Sequence, residues 1–432
     1  MPRSPRRNDP TAPVSPRALR DFLATEAAGG ILLLVATAAA LAWANSPWQA
    51  SYDTVWHTRL GVHLGGRELE LDLQHWVNEG LMAFFFLVVG LEIKRELVVG
   101  ELRERRQAAL PVLAAVGGML VPALLFLAWN PSGDEARGWG VPMATDIAFA
   151  LGVLAVVARS LPSAVRLFLL TLAIVDDIGA IVVIAVFYSS GVETTWLAVA
   201  IVVVGAVALF RFIGFVGTPL FAGLGIALWL ALHASGVHAT LAGVAMGLLV
   251  PATPALTREI VGSRSAQLLD VFTPAEARET RRIARHAVSQ LEWLEHELHG
   301  WSSLVIVPLF ALANAGVPLS LDDLEAAASS TVTLGVVVGL VVGKVVGITA
   351  ATWLATRMRL AELPPGVTWH HIFGAATLAG IGFTVSLFIT GLAFDDPRLV
   401  DEARIGILAA SVLASVVGAL VLRRARNATR PA

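Results

Sequence analysis

Leu169-Leu170-Thr171-Leu172-Ala173-Ile174-Val175-Asp176-Asp177-Ile178-Gly179-Ala180-Ile181 forms the middle of an apolar run, 164–190, and sets two adjacent carboxylates deep inside it. A helix needs no such acids for its own stability. In hydrocarbon each ionisable group costs several kcal/mol unless it is paired or wetted, so acids kept there mark a path for ions or protons. The rest of the chain supplies the hydrocarbon setting. Of its 432 residues 56% are hydrophobic and 15% charged, more apolar surface than a soluble fold of this length buries. A bilayer core about 30 Å thick takes about 20 mostly apolar residues per crossing helix, and such runs recur along nearly the whole sequence.

Working outward from 164–190, the apolar runs predict helices near 28–46, 74–97, 109–130, 141–158, 164–190, 196–212, 217–233, 236–250, 300–316, 331–355, 371–393 and 404–422. The expected fold is an all-α polytopic membrane protein with twelve transmembrane helices. Residues 1–24 read as a basic leader, 25–422 as the membrane domain with a long connection at 251–299, and 423–432 as a basic tail. Ala42-Trp43-Ala44 fits a cleavage pattern, but the stretch before it is long and Pro-rich, so 28–46 is expected to stay as the first span. Arginine sets the orientation. Arg3, Arg6, Arg7, Arg17 and Arg20, then Arg103, Arg105 and Arg106, then the connection from Arg258 to Arg285 and the tail fall on one side; Arg59, Arg67, Arg137, Arg398 and Arg404 fall on the other. Both termini are therefore expected in the cytoplasm of a bacterial cell, with the chain in the inner membrane.

Composition also excludes. With no cysteine there is no disulfide framework, thiolate metal site or cysteine nucleophile. A net charge of -2 offers no concentrated basic face for nucleic acid. No cofactor is expected.

The ionisable residues inside the runs are few. Asp176 and Asp177 point about 100° apart on a helix, so one can face a central cavity while the other faces a neighbouring helix, and the two titrate as a coupled pair. The alternative is a carboxylate locked to an arginine or lysine of another span. Thr145 and Asp146 break 141–158 in its middle; an unwound backbone there frees carbonyls and the Thr145 hydroxyl as oxygen ligands for a hard cation. Gly380 and Gly382 permit a similar break in 371–393, or else close helix packing. Only Lys94 and Lys344 are lysines among 31 basic residues. Lys344 lies mid-span and is the natural counter-ion of a buried aspartate. Glu79, and the cluster Glu92, Lys94, Arg95 and Glu96 at the end of 74–97, read as local ion pairs or as regulatory groups. His238 has the intrinsic pKa of a pH switch, or is simply structural.

These motifs carry a resemblance. Ala144-Thr145-Asp146-Ile147-Ala148-Phe149, Val175-Asp176-Asp177-Ile178-Gly179, Gly90-Leu91-Glu92-Ile93-Lys94-Arg95-Glu96-Leu97, Ser235-Gly236-Val237-His238-Ala239-Thr240, Pro308-Leu309-Phe310-Ala311-Leu312-Ala313-Asn314 and Gly380-Ile381-Gly382-Phe383-Thr384 resemble, in order, the motifs of NhaA-type sodium/proton antiporters. The resemblance implies inverted repeats, two interrupted helices that cross at a midplane site, and a homodimer surrounded by lipid. It implies that Asp176 and Asp177 carry sodium and protons, the sodium being transported rather than resident. Lys344 would partner Asp176, and Thr145 and Asp146 would line the crossing. Glu92, Lys94, Arg95, Glu96 and Glu295 would form a pH-responsive region, and sodium (or lithium) would leave against a larger number of protons. Glu79 stands where the family usually has aspartate, and 251–299 is longer than in compact members.

Two other classes place different demands on these residues. A sodium-coupled organic-anion symporter needs a roomier site with anion-binding groups. An intramembrane aspartyl protease needs two aspartates aligned on a water, for which Asp176 with Asp146 is the one pairing to consider, and no Gly-x-Gly-Asp signature accompanies them.

Overall fold

Without water to bond, a backbone crossing lipid must satisfy its own N–H and C=O groups, which leaves helices as the default. The computed structural model describes residues 16–64, 67–157, 161–189, 191–213, 217–252 and 289–428. Each expected span has a helix or a helix pair on it. In order these are Pro16–Ala44; Met82–Val98 with its lead-in Leu73–His75 and Trp76–Leu81; Arg105–Trp129; Glu135–Met143 with Ile147–Val157; Ser163–Phe187; Thr194–Phe212; Thr218–Ser235; Leu241–Leu249; Gln290–Trp301 running through Ser302–Ile306 into Val307–Asn314; Thr331–Val338 running through Gly339–Gly343 into Lys344–Arg357; Trp369–Leu378 with Phe383–Ala393; and Pro397–Ala428. Among the described residues, five helices are long and apolar enough to cross a bilayer unaided, and up to eight when bent pairs count as one span.

The differences from the sequence expectation are instructive. The ninth helix starts at Gln290, nearly three turns before the run expected at 300–316, because Ser289 and Glu292 form a capping box there. Most of the 251–299 connection, like most of the leader and the last residues of the tail, lies outside the described residues. The eighth span is helical only over Leu241–Leu249, since Gly236 takes a left-handed backbone (φ 76°) and the chain turns through His238 to Thr240 before the helix begins. The all-α expectation misses a hairpin: Arg59–Leu64 pairs antiparallel with Arg67–Asp72 in the first loop. Alternating Leu69, Leu71 against Glu68, Glu70 carries a strand signal, overshadowed by the long helical runs around it.

Close approach fixes the helix pairs that frame the centre. The second and eighth spans pack backbone to backbone, so a Cβ on Gly90 would lie 2.8 Å from the Val244 carbonyl. The third and tenth spans do the same where Gly117 faces Gly347, which seats Lys344 against the third helix. Three π turns, Trp76–Leu81, Ser302–Ile306 and Gly339–Gly343, interrupt long helices, and the last delivers Lys344 directly. Such turns rotate every following side chain and concentrate at functional positions.

Candidate cation and proton site

The fourth and eleventh spans break opposite each other. Glu135–Met143 and Ile147–Val157 meet at 43°, Trp369–Leu378 and Phe383–Ala393 at 47°. Between the first pair the chain is extended (Ala144 φ −82°, ψ 148°). The two breaks are bonded together, the Asp146 N–H donating to the Ile381 carbonyl at 2.7 Å. A Cβ on Gly382 would stand 3.2 Å from the Ala144 carbonyl and 2.9 Å from Leu340 Cδ2, so this glycine serves both readings of its motif, the break and the close contact.

Asp146 is buried at this crossing and caps two half-helices at once. Its Oδ1 accepts the Phe149 N–H at 2.9 Å, at the start of Ile147–Val157. Its Oδ2 accepts the Thr384 N–H at 3.0 Å and the Thr384 hydroxyl at 2.7 Å, at the start of Phe383–Ala393. One negative charge thereby faces two positive helix ends.

Asp176 and Asp177 lie on the fifth helix beside this crossing, both buried. Asp176 Oδ2 pairs with the Lys344 ammonium. The Thr145 hydroxyl is 2.6 Å from the same oxygen and 2.8 Å from the Ala379 carbonyl; its single proton serves one of them at a time. Among the described residues, Asp176 Oδ1 and Asp177 Oδ1 have no hydrogen-bond partner. Asp177 instead borders a cavity of about 50 Å³ shared with Thr145, Asp146, Thr384, Glu92 and His299, room for a small cation and a few waters. The structure thus brings Asp176, Asp177, Thr145, Asp146 and Lys344 together, with Asp176 turned to the tenth span and Asp177 to the cavity.

The cavity runs toward the end of the second helix. Glu92 and His299 line it, and just beyond them Arg95 pairs with Glu295 and, at 3.5 Å, with Glu96. Glu96 also accepts the Glu101 N–H at 3.0 Å. Burial pushes the Glu101 carboxyl above its ordinary value, and Glu96 and Glu104 add to the shift. Lys94 sits beside this cluster and shares none of these contacts. His238 is elsewhere: its Nε2 lies 2.9 Å from the Tyr188 carbonyl, at the far end of the fifth helix.

A family model described as Na+/H+ antiporter 1 matches residues 20–422. The chain belongs to this Na+/H+ antiporter family. It is similar to Na(+)/H(+) antiporter NhaA 3 of Frankia alni, 48% identical over 413 residues that cover 94% of this chain and 88% of that one. It is also similar to Na(+)/H(+) antiporter NhaA 2 of Sorangium cellulosum, 47% identical over 424 residues covering 94% and 90%. Against Na(+)/H(+) antiporter NhaA 1 of Mycolicibacterium vanbaalenii the identity is 48% over 403 residues, 92% of this chain and 65% of that longer one. A member of this family is a multi-pass membrane transporter and not an enzyme.

Several residues of the antiporter escaped the sequence reading. Thr384 ends a quoted motif, yet nothing in one sequence says that it binds Asp146. His299 lies on the helical extension before the ninth run. Glu79 is paired across helices: His233 Nδ1 lies 2.7 Å from its carboxylate and Trp229 Nε1 donates to its carbonyl at 3.0 Å. A glutamate–histidine pair from spans about 150 residues apart has no local signature.

Proposed function

We propose that this antiporter exchanges cytoplasmic sodium for external protons by letting the two compete for Asp176 and Asp177. The observation that carries the reading is the Asp177 carboxylate, buried, bordering a small cavity, with an oxygen that has no partner among the described residues. A hard cation prefers an all-oxygen shell, and Asp177, Asp176, the Thr145 hydroxyl and the Ala379 carbonyl offer one within reach of that cavity. Lithium fits the same donor set.

Charge arithmetic follows. Two carboxylates that release two protons to take one sodium ion move one net charge per cycle, so the exchange is electrogenic. Lys344 balances Asp176 while the site is empty. Asp146 balances the half-helix ends and is kept from competing for sodium by its own hydrogen bonds. The small acid-lined cavity fits a bare cation far better than an organic anion.

Glu92, Lys94, Arg95, Glu96 and Glu295 make the cavity's mouth responsive to cytoplasmic pH, since protonating an acid of this cluster changes the pairing of Arg95 between two helices. His238 contributes from the opposite face. The orientation is termini inside, in the bacterial inner membrane, as a homodimer in lipid. The test is proton release from everted vesicles on sodium addition, read with a pH-sensitive dye. Sodium that fails to release protons would overturn the reading.

A further inference from the structure

Alternating access, which this inference takes from the exchange proposed above, requires the site to open to one face at a time. Among the described residues, the cavity at Asp177 is lined on the side of Glu92, His299, Ser302 and Ser303. Toward the other face the fifth helix presents Ala180, Ile184 and Tyr188, all buried and spaced to share the Asp177 side.

Tyr188 ties this wall together. Its hydroxyl accepts the Gly140 N–H at 3.1 Å and donates to the Arg137 carbonyl at 2.7 Å, both on the 3₁₀ half of the fourth span, Glu135–Met143. Its ring stacks on Trp139, centroids 6.3 Å apart. A Cβ on Gly140 would fall 2.6 Å from the hydroxyl, so the phenol is seated on bare backbone. The Tyr188 carbonyl bonds His238 in the turn before the eighth helix. One residue therefore joins three elements, and the half-span it holds leads straight into the break at Thr145 and Asp146.

We propose that Tyr188 is the latch of the closed face: its hydroxyl holds the 3₁₀ half of the fourth span against the fifth helix, and releases it when the site turns to that side. The latch is reversible for a structural reason. Gly140 N–H and Arg137 C=O are three residues apart, the pair that the 3₁₀ ladder of Glu135–Met143 itself joins, so on release that ladder satisfies both and leaves no buried group unsatisfied.

The chain has no cysteine, so single reporter thiols read without background. Ile184→Cys in the closed wall and Ser303→Cys in the open cavity are each made with and without Tyr188→Phe. A membrane-impermeant maleimide is applied from the Arg137 face in intact cells and from the opposite face in inverted vesicles. Tyr188→Phe is expected to speed labelling of Ile184→Cys roughly tenfold, a population shift of about 1.4 kcal/mol, and to leave Ser303→Cys unchanged or slower, because one state grows at the other's expense. Trp139→Leu, which unstacks the ring and keeps the hydroxyl, should move Ile184→Cys the same way by less, and answers the question if Tyr188→Phe is not recovered in the membrane. An unchanged Ile184→Cys rate overturns the latch. So does acceleration at both thiols, which makes Tyr188 a packing residue alone. Labelling needs no ion gradient, so a chain that failed to exchange sodium for protons would still report on Tyr188.

Discussion

Asp176 and Asp177 are neighbours in sequence and opposites in surroundings, one paired with Lys344 and one bordering the cavity. Replacing either by asparagine keeps the size and removes the charge. Asp177→Asn is therefore expected to reach the membrane folded, and Asp176→Asn, which leaves Lys344 without its counter-ion, to do so in lower yield; both should reduce sodium-driven proton release to background in everted vesicles, and wild-type exchange by either would remove the acids from the mechanism. Lys344 makes a sharper thermodynamic case. Taking away one partner of a fully buried pair strands the other charge, a loss of about 3–5 kcal/mol. Lys344→Ala should show it as a clear drop in melting temperature, Lys344→Arg a smaller one, and an unchanged melt in the alanine variant would mean that the pair contributes nothing. These residues were legible in the sequence because a charge inside an apolar run is conspicuous by its cost. Thr384 and His299, which line the same cavity, were not, because threonine in a membrane helix is ordinary and a histidine at a polar helix end signals nothing without the cavity it lines.

At the scale of elements the broken spans were legible and their cause was only half so. Polar Thr145-Asp146 and the Gly380-Ile381-Gly382 pair announced two interruptions; that one carboxylate caps both resulting half-helices is a fact of tertiary placement. It carries a prediction. Losing an N-cap costs about 0.5–2 kcal/mol, and Asp146 serves two, so Asp146→Ala is expected to lose about 1–4 kcal/mol in thermal unfolding of the purified protein. Asp146→Asn keeps one carbonyl oxygen, enough for one of the two caps, and sets an NH2 against the other N–H, so it should lose less than the alanine variant. Equal losses in the two variants would place the effect in charge rather than capping. The π turn before Lys344 and the hairpin after the first span were invisible for different reasons. A π turn adds no unusual residue to an apolar helix, and six-residue strands flanked by long helical runs are outweighed in any window wide enough to find those runs.

The whole molecule repeats one design. The third to fifth and the tenth to twelfth spans each place a broken helix between two long ones, and because the first trio starts on an odd crossing and the second on an even one, they run through the membrane in opposite senses. The breaks meet at the middle, beside the acid pair, so whatever occupies the pair is felt by both trios. On the proposed shared site the coupling is competition, since sodium and protons would not hold the same carboxylates at once. Mass action fixes the form of the result. Below the coupled pKa of the pair, each unit of acidification should weaken apparent sodium affinity about tenfold per proton displaced, the equivalent of 1.36 kcal/mol per unit. Above that pKa the pair is already ionised and the dependence flattens. Under the proposed regulation at Glu92, Arg95 and Glu295, pH would change how fast the site is reached, bending the maximal rate while leaving this slope in the affinity. The measurement is apparent sodium affinity against pH in proteoliposomes held at fixed voltage. A slope near two decades per unit on the acid side fits two protons displaced per sodium, and a slope near one fits a single proton and removes the electrogenic cycle. Affinity that stays level from acid to alkaline pH excludes a shared site at Asp176 and Asp177.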